Sequence, residues 1–274
     1  MNLAHILVPA KINLGLNIVG KRADGYHNLE TVFYPIPLYD EISISINPAC
    51  CKEPQLEIEG TSVPGRTEDN LVVRAYRMLE SEFPELPALS FRLIKHIPTQ
   101  AGMGGGSADA SCTLRLINSM FDLGLSEERL EQYAVRLGAD CPFFIKAEPA
   151  FAQGIGEQLE SISLNLSGRY IAIIKPSIAI STKEAFSLVS PKIPKKSCRD
   201  IVMQPIETWR EELSNDFEVS AFALYPELAA IKQYLYDSGA TYAAMSGSGS
   251  AMFGIYTNEP DIQSWKYKAI VREL

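Results

Sequence analysis

The run P-T-Q-A-G-M-G-G-G-S-A-D-A, Pro98 to Ala110, joins an alternating apolar stretch, Leu89 to Ile97, to a helical stretch that begins near Ser107. The stretch reads as a strand, a glycine loop and a helix in direct succession. Gly102, Gly104, Gly105 and Gly106 fall within five residues. A glycine has no Cβ, so the backbone takes positive φ freely and a ligand can approach it closely. The first N–H groups of the following helix have no partner inside the helix. A glycine loop that feeds a helix N-terminus suits a phosphate cradle; the alternative is an ordinary flexible turn, and four glycines in five residues favour the cradle. Two familiar phosphate motifs are absent. There is no G-x-x-x-x-G-K-[ST], and Ser107 stands where G-x-G-x-x-G, read from Gly102, requires its last glycine.

A length of 274 residues suggests one large domain or two modest ones, and 46% hydrophobic residues are ample for a core. The formal charge of −8 argues against a nucleic-acid partner. No signal peptide is expected, because Lys11 and Asn13 interrupt the first twenty residues. No apolar run approaches the roughly 20 residues of a membrane span. The five cysteines, Cys50, Cys51, Cys112, Cys141 and Cys198, show no C-x-x-C or zinc spacing. Reduced thiols, a cytoplasmic protein and no protein metal site are the expectations.

Outward from the loop, His5 to Lys11 and Ile12 to Val19 predict strands, with Asn13 and Asn17 on one face. Gly20 and Asp24-Gly25 predict a turn. Leu29 to Pro35 and Asp40 to Ile46 predict further strands, and Leu56 to Ile58 a short one. Helices are expected over Asn70 to Phe83, Ser107 to Phe121 and Ser126 to Leu137. Asp140 follows the last of these, between apolar groups, and reads on its own as a turn or capping aspartate.

A domain boundary is placed within Phe151 to Leu159, giving 1–155 and 156–274. Beyond it, Tyr170 to Lys175 predicts a strand and Ser181 to Leu188 a short helix with a capping box. Ser190 to Pro205, with three prolines and four basic residues, predicts a loop. Trp209 to Tyr225 predicts a helix in two pieces, and Pro226 to Ser238 another helix. Tyr242 to Met245 and Ala251 to Tyr256 predict strands about a second glycine turn, Ser246 to Ser250. Asp261 to Leu274 predicts a final helix.

Three stretches carry unusual polar and glycine chemistry: Pro9 to His27, Pro98 to Ala110 and Gly239 to Gly254. A phosphate cradle, a strand-borne lysine and an aspartate among apolar groups together suit phosphoryl transfer, which needs charge neutralisation, alignment and an acceptor for the hydroxyl proton. In this order and spacing they resemble the three motifs of the GHMP small-molecule kinase superfamily. P-A-K-I-N-L-G-L-N-I-V-G-K-R-A-D-G-Y-H at 9–27 is most similar to the branch acting on a cytidine diphosphate-linked methylerythritol. The likeness continues through E-D-N-L-V-V-R-A at 68–75, L-G-A-D-C-P-F-F at 137–144 and G-A-T-Y-A-A-M-S-G-S-G-S-A-M-F-G at 239–254.

The resemblance implies a two-domain α/β (α+β) GHMP kinase fold, its N-terminal domain like ribosomal protein S5 domain 2 and its C-terminal domain ferredoxin-like. It implies ATP-dependent phosphorylation of the substrate's 2-hydroxyl in non-mevalonate isoprenoid synthesis, with Mg²⁺, by a monomer or weak homodimer. Asp140 matches the catalytic base and Lys11 its partner. Pro98, Gly102, Met103, Gly104, Gly105, Gly106, Ser107 and Ala108 fall in the ATP loop. Asn70, Leu71 and Lys95 match adenosine contacts. Asn13, Tyr26, His27, Phe33, Thr182 and Phe186 match substrate contacts: Tyr26 and Phe186 as aromatic faces for cytosine, His27 as the reader of its polar edge. Gly247 and Gly249 would admit a phosphate near the backbone. Many relatives have further glycines early in the loop, where this chain has Gln100 and Ala101. The rivals are a mevalonate-type or sugar kinase of the same superfamily, against which Asp24-Gly25-Tyr26-His27 argues, and a non-catalytic nucleotide-binding relative, against which Lys11 and Asp140 argue.

Overall fold

The computed structural model describes residues 3–47, 53–181, 185–186, 189–262 and 266–274. They divide into two compact units. The first comprises Met1–Ala10, Leu38–Thr99 and Gly104–Ala147; the second comprises Lys11–Pro37, Gln100–Met103 and Glu148–Leu274. Strands β1 (Leu3–Lys21) and β2 (His27–Ile46) are long enough to contribute to both. Each is one continuous strand where the sequence suggests two, since proline in β2 falls at Pro35 and Pro37 without ending it.

In the first unit, Glu41 to Ile46 of β2 run antiparallel to β4 (Leu89–Lys95), and β4 runs parallel to β3 (Gln55–Gly60). Alternation decides which face is inside. Ile42 and Ile44 from β2, and Leu89, Phe91 and Leu93 from β4, are buried. The inward parity continues to Asp40 on β2 and Lys95 on β4, which are buried as well. Helices α1 (Leu71–Glu82), α2 (Gly105–Met120) and α3 (Glu127–Leu137) complete this core. Asn70 caps α1 by accepting from the Val72 N–H at 2.9 Å, and Ser126 caps α3 from the Arg129 N–H. Tyr76 of α1 meets Phe91 edge to face at 5.8 Å. The short helix α4 (Phe143–Lys146) buries Phe143, Phe144 and Ile145.

In the second unit, Thr31 to Phe33 of β2 pair with β5 (Ala150–Gln153), and β5 with β6 (Gln158–Ser161). A separate antiparallel sheet is built from β7 (Tyr170–Ile174), β8 (Tyr242–Met245), β9 (Met252–Tyr256) and β10 (Ala269–Glu273) in the order β10-β7-β9-β8. That order, 4-1-3-2, is the ferredoxin-like one. Helices Phe217–Leu224 and Pro226–Asp237 bury Phe217, Ala221, Leu228, Ile231 and Leu235 in one cluster with Ala172, Ile174, Ala243 and Met245.

Two expectations are corrected. Asp261 to Leu274 is not a helix: Ala269–Glu273 is a strand against β7. β7 would otherwise end the sheet with unpaired backbone groups, and β-branched Ile270 and Val271 suit a pleated edge. Within Ser190 to Pro205, Cys198–Val202 is helical, because Ser197 caps it and Cys198, Ile201 and Val202 are buried on one side. Part of Ser181 to Leu188 lies outside the described residues, and so does Thr182. Cys112, Cys141 and Cys198 are buried free thiols; Cys50 and Cys51 lie outside the description. Among the described residues no helix is long and apolar enough to cross a membrane.

Candidate active site

The second unit gathers residues from all three motifs. Lys11 is 3% exposed. Its ammonium donates to Asn13 Oδ1 at 2.6 Å and to the Gly102 carbonyl at 2.9 Å, and lies 4.9 Å from the centre of the Phe33 ring. Its backbone N–H donates to the Met103 carbonyl at 3.0 Å. Lys11 and Asn13 share a face because they are two apart on a strand. Asn13 in turn donates to Thr31 Oγ1 at 2.9 Å.

The Gly102 carbonyl accepts a second bond, from Ser246 Oγ at 2.9 Å. With φ at +71° and the Ser246 carbonyl oxygen 1.8 Å from where a Cβ would stand, no other residue fits at Gly102. Gly247 faces the same junction, since its Cβ would lie 3.0 Å from the Gly102 carbonyl oxygen and 3.3 Å from Asn13 Oδ1. A Cβ on Gly249 would meet the Met245 sulfur at 2.6 Å. Asn215, 2% exposed, secures this turn by donating to the Met245 and Gly247 carbonyls, each at 2.8 Å.

The candidate base-binding aromatics fall in this unit too. The His27 and Phe186 rings stack at 5.1 Å and 17°, and Phe186 meets Phe217 edge-on at 4.9 Å. Tyr26 is 60% exposed at the tip of the turn, its N–H held by Asp24 Oδ1 at 3.0 Å. Phe186 thus has His27 rather than Tyr26 as its stacking partner.

The first unit holds the helix side of the loop. Gly104, at φ +73°, is the N-cap of α2, and Gly105, Gly106 and Ser107 are its first three residues. Pro98 is half-buried, Met103 and Ala108 are buried, and Ala108 N–H donates to the Gly104 carbonyl at 2.8 Å. The first turn of α2 carries no acidic residue, so nothing there opposes the positive end of the helix. The glycines have different reasons. A Cβ on Gly105 would meet Ile97 Cγ2 at 3.1 Å and Lys95 Nζ at 3.3 Å, so its space is taken by the protein. A Cβ on exposed Gly106 would meet only Leu71 Cδ1, at 3.8 Å. Packing does not demand glycine there, so the helix terminus is open to close approach of an anion. The residues present fit that group. Asp140 is half-buried in the turn between α3 and α4, beside Cys141, whose thiol contacts the Ser107 hydroxyl and is pushed up to about 11 by burial.

Lys95 lies inside the protein. Its ammonium pairs with Asp40 and, at 2.6 Å, with Asp109 Oδ2. Asp40, Asp109, Asn215 and Ser246 were not among the residues expected from the sequence. Inward strand parity at Leu38, Asp40 and Ile42, and at Leu93 and Lys95, is the signal that points to the first of these. Among the described residues no cluster of three or more His, Cys, Asp or Glu is arranged to hold a metal.

Residues 70–148 match the family GHMP kinases N terminal domain, and residues 199–267 match GHMP kinases C terminal. A 4-diphosphocytidyl-2-C-methyl-D-erythritol kinase of Bacteroides fragilis is 50% identical over 260 residues, 95% of this chain and 94% of its own length. The crystal structure of a 4-(cytidine 5'-diphospho)-2C-methyl-D-erythritol kinase superposes with a TM-score of 0.78 at 31% identity, covering 92% of this chain and 89% of that one. The mevalonate kinase of Methanococcus jannaschii reaches a TM-score of 0.73 at 13% identity, covering 100% and 99%, which speaks for the fold alone.

Proposed function

This chain belongs to the 4-diphosphocytidyl-2-C-methyl-D-erythritol kinase family of the GHMP kinases, and we propose that it transfers a phosphoryl group from ATP to the 2-hydroxyl of that cytidyl alcohol, in the non-mevalonate route to isoprenoid precursors. The observation that carries this is identity at half of all positions across 95% of the chain. The division at 155–156 is supported by the two family matches, which lie on either side of it.

ATP, when bound, supplies the phosphoryl group, with Mg²⁺ as its companion ion; that ion binds chiefly through phosphates and water and needs few protein ligands. The chain's own residues do the rest. The amides of Gly105, Gly106 and Ser107 hold phosphate at the N-terminus of α2, the Ser107 hydroxyl adds a donor, and Asn70 and Leu71 border the adenosine. Asp140 accepts the proton of the attacking hydroxyl. Lys11, oriented by Asn13 and the Gly102 carbonyl, stabilises charge that develops in transfer. Tyr26, His27 and Phe186 hold the cytosine, with Asn13, Phe33 and Thr182 along the rest of the substrate. Gly247 and Gly249 keep the third motif's backbone bare. Three buried free thiols among the described residues support a cytoplasmic setting, and we infer a monomer or weak homodimer from the family resemblance.

The test is a phosphoryl-transfer assay with the cytidyl alcohol and mevalonate side by side. Turnover of the cytidyl alcohol alone is expected. Equal or faster turnover of mevalonate would overturn the assignment.

A further inference from the structure

Both stems of the glycine loop end on one buried ammonium. Lys95 closes β4, and its Nζ is gripped by Asp40 from β2 and by Asp109, the fifth residue of α2. The three side chains are 2%, 0% and 5% exposed. Asp40 uses its other oxygen to accept from the His96 and Ile97 N–H groups, at 2.6 and 2.8 Å, where the chain leaves the strand. Gly105 leaves room for the ammonium, its missing Cβ falling 3.3 Å from Lys95 Nζ. Asp109 differs from Asp40 in one respect: its Oδ1 is buried with no hydrogen-bond partner among the described residues.

We propose that Asp40, Lys95 and Asp109 are positioning residues for the glycine loop, fixing its two stems on one ammonium, and that anion binding at the start of α2 is coupled to the charge on Asp109. The proposal rests on the reading that the loop holds the ATP phosphates. Two carboxylates and one ammonium leave one uncompensated negative charge when all are ionised. Buried charges interact strongly because the interior screens them poorly. Burial pushes the Asp109 carboxyl up to about 7; the Lys95 ammonium opposes this and Asp40 adds to it. On its own helix Asp109 is followed by Cys112, a neutral thiol pushed up to about 12, and by Arg115. The buried faces of α1, α3 and α4 are apolar apart from the phenols of Tyr76 and Tyr133, which bond to Glu80 and Glu82. A bound polyanion therefore raises the proton affinity of Asp109, and by linkage ATP binds with proton uptake.

The experiment is calorimetric titration of the full chain with ATP and Mg²⁺ from pH 6 to 8.5, in buffers of different ionisation enthalpy. Wild type, Asp109→Asn and Asp109→Leu are compared. The nucleotide's own titration is common to all three and cancels. Relative to the asparagine variant, wild-type affinity should fall as pH rises through about 7, by at most about tenfold per pH unit for one proton. Wild type should also take up a larger fraction of a proton. Asparagine still accepts from Lys95, so it should bind ATP at every pH as tightly as acidic wild type. Leucine should weaken ATP at every pH and leave affinity for the cytidyl alcohol unchanged. Identical pH profiles and proton counts in wild type and Asp109→Asn would overturn the proposal, whether or not the leucine variant folds. Failure of wild type to bind ATP at all would instead remove the reading of the loop, and this inference with it.

Discussion

The ammonium of Lys11 donates to the carbonyl oxygen of Gly102, 91 positions further along the chain, at 2.9 Å. The first motif thus holds the second through a main-chain atom, and the same ammonium fixes Asn13. Lys11→Met keeps the length and removes the charge. Loss of one preorganised charge-stabilising donor typically costs 10²- to 10³-fold in kcat, and that is the expected loss. The Gly102 carbonyl keeps its bond from Ser246, but buried Asn13 Oδ1 loses its donor, which should lower stability by about 1–3 kcal/mol. Turnover and a thermal melt, read together, check both. Wild-type kcat in a folded Lys11→Met protein would free Lys11 from any catalytic role.

Asp140→Asn is nearly isosteric and accepts no proton. Removing a general base typically costs about 10²–10⁴-fold, and that loss is expected in kcat with ATP affinity and melting point retained. Single-turnover kinetics with the cytidyl alcohol measure it; an unaltered chemical step would exclude Asp140 as the base.

Gly102→Ala and Gly106→Ala should part company. At Gly102 the new methyl stands 1.8 Å from a carbonyl oxygen at a left-handed φ, so the protein should melt early or not fold. At Gly106 the nearest protein atom is 3.8 Å away, and alanine in a helix is favoured over glycine by roughly 0.5–1 kcal/mol. The melt should hold or rise while ATP binding weakens. Calorimetry that finds undiminished ATP affinity in Gly106→Ala would move the phosphate elsewhere.

Tyr26→Ala should lower kcat/KM for the cytidyl alcohol about 5- to 150-fold, the worth of roughly 1–3 kcal/mol of base stacking. Its side chain is 60% exposed, so the melt should not move. A substrate truncated of its nucleobase is the control: it should start poor and lose little more. Equal losses on both substrates would make Tyr26 a structural residue.

Asp109 also sets a pH dependence of stability. Its carboxyl titrates near 7 in the fold and near 3.8 when unfolded. The folded state therefore holds the proton more tightly, and stability falls as pH rises from about 4 to about 7, then levels. Asp109→Asn has no such window. The melting-point gap in its favour should open across that range and stay constant above it; melts from pH 4.5 to 8 report it.

Part of the candidate site was legible because glycine runs and motif order are local signals. Lys11, Asn13, Gly102 and Gly247 do converge in one unit. Lys95 was legible only in part. Its place as a nucleotide contact came from resemblance, whereas its partners, 55 and 14 positions away, come from strand parity and helix placement. The departure at Gln100 has a physical face: its φ is +50°, a left-handed conformation that glycine adopts without strain. The end of the chain was misread because Ile270 and Val271 satisfy a helical pattern as well as a strand, and only the free edge of β7 decides between them.

The double acceptance at Gly102 makes the loop a matter of counting as well as composition. Its one carbonyl oxygen answers a donor 91 positions earlier and another 144 positions later. A single residue inserted or deleted between Pro98 and Gly102 would turn that oxygen away from both, even if every glycine were kept. Exchanges of side chain at Thr99 or Gln100 should be borne far better than any change in the number of residues.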